Sequence, residues 1–265
     1  MKKVIMLVLL CAATCFAQSS FDGTWKTNLS NIEFSPKPDV FSLQNGMYKC
    51  SSCVPEINVK ADGTDQAVSG HPGYNTIAVK QLDDNTVQAI RKMDGKVVSE
   101  VTETVDNNGN TLNVKFTDHP MNGDLVKGSY TMSRVGKTPS RAHPISGSWR
   151  IDKVSQVSDN GVTMTITLQG DQLSMSAPTG ESYSAKLDGK DYPYHGNYGI
   201  SHVSLRRLDA NTIEETDKKD GKVLSVYRMT VSPDGKTLTI VENDKLRGTT
   251  SKYEMDRQPT MEGAK

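Results

Sequence analysis

The feature that most constrains this chain is its likeness to itself. Shifted by 126 positions, residues 61–114 fall on residues 187–240 without a gap, and 20 of the 54 pairs are identical. Asp62-Gly63 falls on Asp188-Gly189, Gly70 on Gly196, Leu82-Asp83 on Leu208-Asp209, and Asp94-Gly95-Lys96-Val97 on Asp220-Gly221-Lys222-Val223. With small indels the match runs outward, from Gly23-Thr24-Trp25-Lys26 over Gly147-Ser148-Trp149-Arg150 to the segment ending at Arg134 over the one ending at Arg257. Two domain-sized copies mean a duplicated domain, not a solenoid of short repeats. The expected division is a first module at residues 21–135, a linker at 136–144 with two prolines, a second module at 145–257, and a tail at 258–265.

The local pattern is that of strands. Val162 to Leu168 alternates apolar and threonine residues with the two-residue period of a half-buried strand. Gly170-Asp171 then suits a hairpin turn, because glycine reaches positive φ without steric cost. Further strands are expected at 182–187, 202–208, 212–218, 223–231, 237–243 and 249–257 in the second copy, and at 76–82, 86–92, 97–105, 111–116 and 128–134 in the first. Turn residues such as Asp220-Gly221 and Pro233-Asp234-Gly235 separate them on schedule. The fold class this predicts is all-β, with two tandem antiparallel meander β-barrels.

The ends of the chain and its charge bound the setting. Lys2 and Lys3, an apolar run to Leu10 and small residues to Ala17 have the layout of a secretory signal peptide cut after Ala17, so the protein is expected to be secreted or periplasmic. That apolar run falls short of the roughly 20 residues a spanning helix needs, so no membrane span is expected. Without Lys2 and Lys3, 29 basic residues face 31 acidic ones, for a net charge of about −2, which argues against a nucleic-acid partner. Cys50 and Cys53 are expected to form a local disulfide in an oxidising compartment.

Gly-x-Trp on the first strand of each module, with an arginine on its last strand, resembles the structural signature of the calycins, the lipocalins and fatty-acid-binding proteins. The chain as a whole, with its FDGTWK segment, also resembles tandem secreted bacterial proteins to which no activity attaches. The calycin resemblance implies barrels of eight to ten strands that hold one small apolar ligand, with an arginine packed over each tryptophan: Arg134 with Trp25, and Arg257 with Trp149. The arginine-x-tyrosine carboxylate anchor of fatty-acid-binding proteins is missing, since Tyr130 and Tyr253 precede their arginines by four residues.

No catalytic motif stands out. Glu214, Glu215 and Asp217 lie on one expected strand and read as a solvated face, and the five histidines read as polar loop residues. No cofactor, metal site or enzyme activity is expected. Tyr192, Tyr194, His195 and Tyr198 cluster around Pro193, an arrangement suited either to a loop at a barrel mouth that touches a ligand or partner or to packing between the modules. Two functional readings follow: a binding protein carrying a small apolar ligand, or a structural or protein-interaction module whose barrels are filled by their own side chains and meet another extracytoplasmic protein.

Overall fold

The computed structural model describes residues 19–137, 139 and 141–259. The signal-peptide reading of residues 1–17 lies outside the described residues, as do linker positions 138 and 140 and tail positions 260–265. The described chain is almost wholly β. It runs β1 (Gly23–Glu33), β2 (Asp39–Gln44), β3 (Met47–Cys50), β4 (Ile57–Lys60), β5 (Gln66–Ala67), β6 (Thr76–Gln81), β7 (Thr86–Met93), β8 (Lys96–Val105), β9 (Thr111–Asp118) and β10 (Val126–Val135). The second series is β11 (Gly147–Val157), β12 (Thr163–Gln169), β13 (Gln172–Ser176), β14 (Ser182–Lys186), β15 (Asp188–His195), β16 (His202–Arg207), β17 (Thr212–Lys219), β18 (Lys222–Val231), β19 (Thr237–Asp244) and β20 (Thr249–Arg257).

Two ten-stranded antiparallel barrels result, but they are not the contiguous modules the repeat suggests. The two copies exchange their first strands. β1 pairs with β12 on one side and β20 on the other, and closes the second barrel. β11, its counterpart in the second copy, pairs with β2 and β10 in the first. The first barrel is therefore the unbroken run from β2 to β11, inserted between β1 and the rest of the second barrel. The repeat units at residues 21–135 and 145–257 differ from the folded units by this exchange.

The connection between β1 and β2 supplies a physical reason. Residues 34–38 include Pro36 and Pro38. Each proline fixes its own φ and pushes the residue before it, Ser35 or Lys37, toward extended backbone, so the chain travels onward instead of reversing into a hairpin. The crossover is then held at its far end: Lys37 donates to the Arg247 carbonyl at 2.5 Å, and Arg247 pairs with Asp39 at 2.5 Å.

Closure differs between the barrels. In the first, β4 and β5 are not laddered. Instead the Gln66 amide both donates to the Lys60 carbonyl and accepts from the Lys60 N–H, each at 2.8 Å, so a side chain stands in for a strand neighbour. The segment Trp25–Lys60, where the copies diverge, holds the β2–β3 hairpin around Asn45-Gly46, both at positive φ, and the Cys50–Cys53 disulfide with Cα atoms 5.4 Å apart. Residues 190–195, expected as a loop, are part of β15, whose pairing to β14 is limited to two residue pairs.

One end of each barrel is plugged. Trp25 and Trp149 are fully buried, and their indole N–H groups donate to the Phe21 and Ile145 carbonyls at 3.0 and 2.7 Å. Because β1 and β11 are exchanged, the arginine partners are also exchanged relative to the expected pairs. Arg257 lies 4.3 Å over Trp25, and Arg134 lies 4.0 Å over Trp149. Each guanidinium also donates to three backbone carbonyls: those of Gly235, Asp22 and Ser20 for Arg257, and of Gly109, Ser146 and Pro144 for Arg134. Gly23 and Gly147 are required beneath them, since a Cβ there would come within 2.7 and 2.6 Å of the guanidinium nitrogens.

Two outcomes are expected. A fragment spanning residues 37–158 should melt cooperatively by circular dichroism, whereas 159–257, which lacks both β1 and β11, should not; failure of 37–158 to fold would refute the exchange. Arg257→Lys should destabilise the second barrel by about 2 kcal/mol, because a lysine ammonium can satisfy fewer of the buried carbonyls than the guanidinium fork. Trp25 and Trp149, one per barrel, report the two unfolding steps separately in fluorescence.

Candidate ligand site in the second barrel

The second barrel is packed solid at its tryptophan end by Phe21, Trp25, Leu173, Leu205, Ile213 and Leu238, all fully buried. Above this plug the interior opens into a cavity that continues into the cleft against the first barrel, about 870 Å³ in all. Strand alternation decides what lines it. On β17, Ile213 faces the core, so Glu215 and Asp217, two and four residues on, face the same way. They are 8 % and 3 % exposed, and this overturns the reading of these acids as a solvated face. The inward-facing Ile213 is the signal that identifies the strand face, and only Glu214 points elsewhere.

Around the acids stand Tyr183, Tyr194, Tyr227 and Tyr253, and on the apolar side Met164, Ile166, Met175, Met229, Ile240 and Met255. The Tyr183 hydroxyl donates to Glu215 at 2.5 Å, and its ring tilts against Tyr194 with centroids 5.5 Å apart. The Tyr227 hydroxyl donates to Glu242, on neighbouring β19, at 3.2 Å. Asp217 Oδ1 is buried and has no hydrogen-bond partner among the described residues. Burial raises the pKa values of Glu215 and Asp217, and for Asp217 the neighbouring Glu215 charge adds to it. Burial likewise raises Glu242.

The mouth faces the first barrel. Gly73 and Gly199, equivalent in the two copies, meet backbone to backbone: a side-chain carbon on Gly199 would lie 3.5 Å from Gly73 Cα. Tyr74, Arg91, Ser99, Asp118, His119 and Met121 of the first barrel complete the lining there. Arg91 lies 5.6 Å over Tyr74, which stacks on His71 and accepts or donates one hydrogen bond with its Nδ1 at 3.0 Å.

Of the tyrosine and histidine cluster singled out from the sequence, Tyr194 and Tyr198 line the cavity. Tyr192 packs on the core with its hydroxyl on Asp188 at 3.1 Å, and His195 is exposed on the outer face of β15. The residues sequence reasoning missed are Glu215, Asp217 and Glu242, together with the methionine wall.

At the repeat shift, the first barrel carries Ala89 for Glu215, Arg91 for Asp217, Val101 for Tyr227 and Phe116 for Glu242. Phe116 packs inward against Tyr130, with centroids 6.3 Å apart, and over Gly128. Its buried acid is Glu103, which burial pushes up to about 7 against the opposing pull of Arg91.

Together these observations define an all-β protein of two ten-stranded antiparallel barrels, one closed and one nearly closed, with a cavity in the closed one. No helix among the described residues is long and apolar enough to cross a membrane. No family model matches this chain, and no curated protein matches it.

The buried acids set a pH dependence. In the unfolded chain Asp217 ionises near pH 4, whereas its folded pKa is higher, so the unfolded state binds fewer protons in between and stability falls as pH rises. Asp217→Asn is expected to be more stable than the parent at pH 8 by at least about 1.4 kcal/mol, one pKa unit's worth, and equal to it near pH 4. Urea melts at the two pH values check this; a gap of the same size at both would show that the charge is not the cause.

Proposed function

We propose that the protein is an extracytoplasmic, non-enzymatic binding protein of calycin-like layout, whose second barrel holds one small molecule with an apolar body and a polar end. Asp217 carries the reading: a buried carboxyl oxygen with no hydrogen-bond partner among the described residues, on the wall of a cavity of about 870 Å³. An unpaired buried acceptor is costly, and natural structures keep one where a ligand or catalytic step uses it. A cavity of this volume suits a small organic ligand, and its mixed wall of methionines, tyrosines and acids offers both apolar area and orientation. The signal-peptide layout and the Cys50–Cys53 disulfide support an extracytoplasmic setting.

The second reading, a barrel filled by its own side chains, is favoured for the first barrel by Phe116 and Arg91 at the positions of Glu242 and Asp217. In this division of labour the first barrel frames the entrance and the second holds the ligand.

Native mass spectrometry of the mature protein from its own host, followed by solvent extraction, tests the proposal. One small molecule per chain is expected, lost in Asp217→Arg, which copies the first barrel's Arg91. A bare mass, with no uptake from a panel of small amphiphiles, would favour the structural reading for both barrels.

A further inference from the structure

Resting on that reading of the second barrel, we infer that its ligand is an organic cation, an ammonium group carried on an apolar or aromatic body. The polar groups of the cavity are unequally satisfied. Tyr183 has already given its hydroxyl proton to Glu215, and Tyr227 has given its own to Glu242. Both are thus spent as donors, and Asp217 Oδ1 remains a buried acceptor with no hydrogen-bond partner among the described residues.

The charge balance points the same way. Among the described residues no lysine or arginine of the second barrel lines the cavity; Arg91, the one arginine on its lining, belongs to the first barrel and lies over Tyr74. A ligand that brings positive charge relieves two buried carboxyls that otherwise repel one another when ionised. A neutral polyol brings acceptors as well as donors and leaves the charge uncompensated. A bound metal ion fits poorly, because among the described residues no group of three or more histidine, cysteine or acidic side chains is placed to hold one. An ammonium needs less: one or two carboxylate oxygens and the faces of nearby aromatic rings. The tilted rings of Tyr183 and Tyr194 stand beside the acids, and the methionine side suits the ligand's body.

Isothermal titration of the mature protein with tryptamine and with tryptophol tests this, since the two differ in ammonium against hydroxyl on the same indole body. Tryptamine is expected to bind one per chain and at least about tenfold tighter than tryptophol, the scale of one charge-assisted hydrogen bond. In Asp217→Asn, checked for folding by its melting curve, tryptamine should lose more affinity than tryptophol, so that the preference collapses to about threefold or less. Glu215→Gln serves as the second variant should Asp217→Asn fail to fold. Tryptophol binding as tightly as tryptamine, or a preference that survives the substitution, overturns the cation and leaves the carrier reading standing. Uptake of neither probe at millimolar concentration overturns the cation reading, and a bare native mass beside it removes the carrier reading too.

Discussion

The pairing of β1 with both β12 and β20 is the interaction on which the rest of the structure depends. Without it the second barrel has two open edges and no tryptophan at its plugged end. An open edge presents unpaired backbone donors and acceptors, and closure is the one arrangement that removes them. Because that strand comes from the far end of the sequence, the whole first barrel is threaded between β1 and β12. The barrels are thus joined by two crossovers instead of one linker, and the Lys26–Asp159 and Arg247–Asp39 ion pairs sit beside those crossovers.

This double tether has a consequence for the site. A pair of barrels on a single flexible linker would leave the cavity mouth open to any neighbour. Here the equivalent loops around Gly73 and Gly199 are pressed together, and the first barrel's Tyr74, Arg91 and His119 become part of the entrance. Access to the second barrel therefore passes residues that belong to the first.

Duplication explains why the two interiors can differ so much. The frame that both copies need is kept in each: glycine beneath the guanidinium, the indole under it, and three carbonyls receiving its protons. Inside that frame a few substitutions set the acid-lined wall of the second barrel apart from the first barrel's interior. Ala89, Arg91, Val101 and Phe116 stand opposite Glu215, Asp217, Tyr227 and Glu242. The acidic set costs stability at neutral pH, since each carboxyl must be buried, and it persists beside a cavity that could hold a compensating charge.

Much of the fold was legible in the residues. The self-match, the two-residue alternation of segments such as 162–168, and the turn pairs at Gly170-Asp171 and Asp220-Gly221 determined an all-β duplicated chain and most strand positions, because these are local properties of side-chain period and backbone φ. Trp25, Arg134, Trp149 and Arg257 were legible as the structural residues, and Cys50 with Cys53 as a close pair. Which tryptophan meets which arginine was not, for strand pairing is a long-range choice: β1 would find the same ladder and the same guanidinium in either barrel. Nor was the acid pair, since whether Glu215 and Asp217 face water or a cavity depends on closure of the sheet around them. The sequence thus determined the two frames, and the tertiary structure alone decided how they interlock and which acids line the cavity, because backbone pairing between distant strands carries no residue code of its own.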